Sequence, residues 1–142
     1  MQSLLVALVI VVLVGGVAWL VRRRQAVDVP TQKEFTAPTQ IDRNDFEDVD
    51  REWLVAVFTS ATCHVCADML AKAEVVASRH VAVVDVEFTA AKALHEKYRI
   101  EAVPTIVICD SAGVVRRSFM GPASATDLWA AVADARDPRD PA

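Results

Sequence analysis

Apolar positions along this chain follow two patterns. Leu4 to Val21 runs for 18 residues without a charge, about 27 Å as a helix and close to the hydrocarbon thickness of a bilayer. Trp19 suits an interface, and Arg22, Arg23 and Arg24 end the run abruptly. A cleavable leader would want basic side chains ahead of the run, where Met1-Gln2-Ser3 supplies only the terminal amine. Gly16-Val17-Ala18 offers small residues for cleavage, but three arginines so close behind make export awkward. A soluble helix apolar on every side is out of place in so small a protein. The pattern predicts one uncleaved N-terminal transmembrane helix, with residues 1–24 as anchor and arginine stop.

After a polar connector over 25–37, marked by Pro30 and flanked by Pro38, the pattern changes. Thr39-Gln40-Ile41 is expected as a short edge strand. Asp42 to Glu52, with six acidic and two basic residues, is expected as a short helix and loop with a solvated charged face. Trp53–Phe58, Val81–Val86 and Thr105–Cys109 are almost continuously apolar, as strands buried on both faces are. Val65, Met69, Ala73 and Val76 recur at helical spacing within Cys63–Ser78, and Ala90–Tyr98 is rich in helix formers. Asp110-Ser111-Ala112-Gly113 reads as the turn of a hairpin joining Thr105–Cys109 to Val114–Phe119. Ser124 or Thr126 caps a last helix through Leu128, Trp129 and Val132. The order β-α-β-α-β-β-α predicts a three-layer α/β/α domain with a mixed central sheet over 38–134. Residues 135–142 are expected as a disordered tail.

Charge is distributed unevenly. Residues 1–35 carry four basic and two acidic side chains, and the remainder eleven and seventeen. An acidic domain excludes a nucleic-acid partner, whose phosphates want a basic face. Three cysteines make no disulfide scaffold in a domain able to build a real core; a redox pair with one thiol left over fits better.

Cys63-His64-Val65-Cys66 supplies that pair. It follows an apolar run and opens a helical stretch, where unsatisfied N–H groups favour a thiolate. A zinc site would want four ligands, which one CxxC with an adjacent His64 and a distant Cys109 does not offer. With Val55-Ala56-Val57-Phe58, the CxxC, Tyr98 to Thr105 including Val103-Pro104-Thr105, Asp110 to Gly113, and Gly121, the chain resembles the thioredoxin family. The resemblance implies a thiol–disulfide oxidoreductase of thioredoxin-like fold, needing no cofactor or metal and working on protein thiols and disulfides with a further redox partner. It implies Cys63 as nucleophile, Cys66 as resolving thiol and Pro104 as a cis proline beside them. It also implies Thr62, Val103 and Pro104 as the substrate-binding backbone; the chain is expected as a monomer, tethered through residues 4–21 by its apolar run. His64, where relatives carry Gly, either stabilises the Cys63 thiolate by its charge or faces solvent and does little.

Departures from the family matter as much. Thr62 stands where relatives carry Trp, and Val57 where they bury an aspartate; the lysine pairing with that aspartate is expected to be apolar here too. A base for Cys66 is therefore missing or displaced, with Asp68, Asp85 and Glu87 as substitutes. Cys109 reads most simply as a small buried hydrophobe. Two functions remain: a membrane-anchored oxidoreductase, or a redox-silent binding module of the same fold. The arginine triplet favours the cytoplasmic side for the domain; the precedent of anchored relatives favours the outside.

Overall fold

The computed structural model describes residues 15–16, 36–47 and 50–137. The chain divides into two units, 1–34 and 35–142. Leu4–Val21 lies outside the described residues except for helical Gly15 and Gly16. Among the described residues no helix is long and apolar enough to cross a membrane.

In the second unit, β1 (Trp53–Thr59) leads through α1 (Cys66–Glu74) to β2 (Val81–Glu87), and α2 (Lys92–Lys97) leads on to β3 (Thr105–Cys109). β4 (Val115–Met120) and α3 (Ala125–Arg136) complete it. Strand order is β2-β1-β3-β4. β1 pairs parallel to β2 and antiparallel to β3, and β3 antiparallel to β4, giving the mixed sheet expected. The crossover through α1 forces the parallel pair; the tight Asp110–Gly113 turn allows the antiparallel one.

Leu54 to Thr59 are all buried because β1 has helices on one face and a helix with the 36–47 segment on the other. Val55, Val57, Ile106 and Ile108 pack with Met69 and Ala73 of α1 and Leu128 and Val132 of α3. Leu54, Ala56, Phe58 and Val107 pack on the opposite face with Ile41, Phe46 and Tyr98. Each such aliphatic side chain taken fully out of water contributes about 1.5–3 kcal/mol.

Several boundaries differ from those read in the sequence. α1 begins at Cys66 instead of Cys63, with residues 61–65 forming turns ahead of it. α3 takes Ser124 as its cap, the Oγ accepting from Asp127 N at 3.1 Å, and runs past 134 with Ala135 buried. Ala135 and Arg136 therefore belong to this helix, and residues 138–142 of the expected tail lie outside the described residues. The expected edge strand at Thr39–Ile41 shrinks to one bridge, Gln40 with Val114.

The charged stretch after Asp42 is not simply a solvated face. Arg43, in a 3-10 turn over Arg43–Asp45, is buried. Its guanidinium donates to Asp110 O at 2.9 Å and Arg51 O at 2.8 Å. Asp45 accepts from Lys97 Nζ at 2.6 Å and from the Tyr98 hydroxyl. Those two hydrogen bonds, Lys97's the larger, hold its carboxyl below the ordinary range.

Gly113 closes the β3–β4 turn at φ 77°, and its carbonyl accepts from Ile41 N at 2.9 Å. A Cβ there would stand 2.0 Å from Ile41 O, backbone that cannot step aside. Gly113→Ala is expected to lower stability by about 2–4 kcal/mol, adding a clash to a left-handed conformation. Gly121→Ala, at φ 88° with open space around it, should cost about 1–2 kcal/mol. Denaturant midpoints at unchanged slope measure both; equal losses would contradict the close approach.

Candidate functional site

The site grows from the C-terminal end of β1. The chain turns sharply after Thr59, with Cys63 N donating to Ser60 O at 3.0 Å and Cys66 N to Cys63 O at 3.4 Å. This turn brings the two cysteines together as a disulfide, S–S 2.07 Å and Cα–Cα 5.5 Å. They are not equivalent. Cys63 is half-buried, whereas Cys66, at the first position of α1, is 3% exposed. His64 and Val65 between them are exposed, as is Thr62, whose hydroxyl hydrogen-bonds Ser60 Oγ at 3.1 Å.

β3 supplies the other wall. Its register sets Phe58 opposite Thr105, so Val103 and Pro104 arrive at the strand end from which the cysteine turn departs. The Val103–Pro104 bond is cis, as the resemblance implies. Pro104 O accepts from Gly121 N at 2.8 Å, and Thr105 Oγ1 donates to Ala102 O at 2.8 Å, pinning both sides of the proline. Val103 is half-buried and Pro104 buried.

A cavity of about 250 Å³ opens beside the disulfide, lined among others by Thr59, Cys63, Cys66, Leu70, Asp85 and Glu87. Val57 is fully buried, so no carboxylate approaches from β1. The residue paired with Val57 on β2 is Asp85. The expectation of an apolar partner there is thus wrong: polar residues interrupt β2 at the C-terminal end, where the cavity opens. Thr59 Oγ1 donates to Asp85 Oδ1 at 2.6 Å.

The other two acidic candidates are occupied. Glu87 accepts backbone N–H bonds from Ala90 at 3.0 Å, Ala61 at 3.2 Å and Thr89 at 2.8 Å. Those bonds, Ala90's first, outweigh desolvation by burial and hold its carboxyl below the usual range. Asp68 pairs with Lys72 one turn along α1 at 2.6 Å.

Sequence reasoning missed two exposed apolar side chains at the strand ends. Phe88 follows Glu87 and Met120 precedes Gly121, and both are exposed, as is Val65. The signal available was a large apolar residue at the end of a strand, which looks the same as core until its face is known. Cys109 belongs to the opposite face of the sheet from Cys66 and is fully buried, which separates it from the redox pair.

Comparison with known proteins places this geometry. The thioredoxin family model matches residues 34–134. Among curated proteins none matches. Among solved structures, a mutant thioredoxin from Halobacterium salinarum is 20% identical with a TM-score of 0.57, over 75% of this chain and 99% of that one. Deadhead, a germline-specific thioredoxin of Drosophila melanogaster, is 21% identical at TM-score 0.55, over 70% and 97%. Fasciola hepatica thioredoxin is 25% identical at TM-score 0.51, over 58% and 79%. The chain belongs to the thioredoxin family. With its cysteines at bonding distance on that fold, it is a protein-disulfide oxidoreductase.

Burial pushes the Cys109 thiol up from 9.0 to about 11, against the opposing charge of Arg43. Between those values the unfolded chain has released a proton that the folded one keeps. The stability contribution is therefore complete below pH 9.0 and lost as pH rises toward 11, a fall of about 2–3 kcal/mol. Unfolding of wild type against Cys109→Ala across this range should show the extra slope in wild type only. Parallel profiles would place Cys109 in water.

Proposed function

We propose that this chain is a membrane-anchored thiol–disulfide oxidoreductase that exchanges disulfides with protein substrates through Cys63 and Cys66. The observation that carries the reading is the asymmetry of the pair: one sulfur reachable, the other buried at the start of a helix. In the reducing direction the Cys63 thiolate attacks a substrate disulfide, forming a mixed disulfide and releasing one substrate thiolate. Cys66 then attacks the Cys63 sulfur, the second substrate thiolate leaves, and two electrons have passed to the substrate. In this reading Thr62, Val103 and Pro104 form the substrate-binding backbone, and an extended substrate segment adds against Val103. Val65, between the cysteines, and Met120, paired with Thr105 next to Pro104, are exposed and give that segment apolar surface.

Cys63→Ser should abolish disulfide reduction, whereas Cys66→Ser should accumulate mixed disulfides visible on non-reducing gels. Iodoacetamide should label Cys63 before Cys66 in the reduced protein; the reverse order would exchange their roles. A reduced wild-type protein that exchanges with no disulfide would leave a redox-silent binding module, the reading that the apolar Val57 favours.

Anchoring through residues 4–21 rests on their unbroken apolar character and the arginines that end it. By the charge rule the domain faces the cytoplasm, where thiols are kept reduced and a tethered reductase is the fitting role. C-terminal reporter fusions should then give bright green fluorescent protein and inactive alkaline phosphatase. The opposite pattern would move the domain outside and make it a partner in disulfide maturation.

A further inference from the structure

The second step of exchange has a proton to dispose of. Only a thiolate attacks a disulfide, and a thiol buried among apolar groups resists ionisation. Cys66 is 3% exposed, and Val57 offers it no acceptor.

Strand alternation decides which side chain does. Val55 and Val57 pack with Met69 and Ala73 of α1, so α1 covers that face of the sheet. The β1–β2 register sets Val55 opposite Val83 and Val57 opposite Asp85. Directly paired residues project to the same face. Asp85 therefore points to the α1 side, and it shares with Cys66 the lining of the 250 Å³ cavity. Water needs about 30 Å³ per molecule, so the space has room for water between the two. Thr59 orients the carboxylate through Oδ1. The other titratable groups around the pair are committed or solvated. Glu87 is held by three backbone N–H groups, Asp68 is paired with Lys72, and His64 is exposed.

We propose that Asp85 is the proton acceptor for Cys66, a carboxylate supplied from β2 because β1 presents Val57. The inference rests on the exchange reaction proposed above. Once the mixed disulfide has formed at Cys63, the Cys66 S–H proton passes through water to Asp85. The Cys66 thiolate then forms its bond to the Cys63 sulfur, and the bond from Cys63 to the substrate sulfur breaks with the electron pair leaving on that sulfur. Asp85 returns the proton to solvent through the cavity mouth.

An aromatic disulfide with a coloured thiolate separates the two steps. Mixed with the reduced full-length chain, it releases one equivalent when Cys63 attacks and a second when Cys66 resolves; Cys66→Ser, lacking the second, assigns the phases. Asp85→Asn is expected to slow the second phase about tenfold or more near neutral pH and leave the first unchanged. The deficit should close as pH rises and hydroxide removes the thiol proton unaided, and Asp85→Glu should recover most of the rate. A deficit that persists at every pH would show a misplaced Cys66 and overturn the assignment. So would an Asp85→Asn profile superimposed on wild type, or a closing deficit from Glu87→Gln alone. A first phase no faster than that of an unstructured peptide thiol in wild type would instead overturn the exchange reaction, and this inference with it.

Discussion

Leu54 through Thr59 are buried on both faces, held between parallel β2 and antiparallel β3, and the site hangs from the end of this strand. A central strand covered on both sides has no freedom to slip, because a shift of one residue would exchange its two apolar faces. The turn carrying Cys63 and Cys66 therefore leaves the sheet at a fixed place. Phe58 paired with Thr105 fixes the cis proline next to it. The local turn joins the two cysteines to each other; the sheet register sets that turn beside the cis proline.

The same register underlies the proposal that Asp85 serves Cys66 where β1 presents Val57. Parallel neighbours at one rung of a ladder point the same way, so a charge removed at Val57 can be replaced from Asp85 across the pair. Position on the edge matters as well. Asp85 remains exposed to solvent, so its charge costs less to keep than a charge sealed at Val57 would. Val57 is free to join the core with Met69 and Ile106.

The far side of the sheet is organised by polar contacts that the acidic composition conceals. Arg43 ties the 36–47 segment to the turn after β3 through Asp110 O and to Arg51 O, and Asp45 joins it to Lys97 and Tyr98. A buried guanidinium is tolerated because backbone carbonyls take hydrogen bonds from its two terminal nitrogens. Cys109 shares this side, and there burial outweighs the charge of Arg43: its thiol stays protonated well above the usual range.

Long-period features were legible in the sequence because they depend on local chemistry. Continuous apolar runs marked β1, β2 and β3, and Asp110-Ser111-Ala112-Gly113 marked the hairpin, since a turn needing φ > 0 demands its glycine wherever it falls. The CxxC and Val103-Pro104 announced the redox pair and the cis bond through resemblance. Start and end points were less legible: α1 was placed from Cys63, but the disulfide-bearing turn occupies its first expected turn and helix begins at Cys66. What faces what was not legible. No periodicity tells that Arg43 is buried, that Cys109 turns away from Cys66, or that Asp85 meets Val57. Those relations join residues from separate strands and helices, and only the pairing of β1 with β2 and β3 brings them within reach.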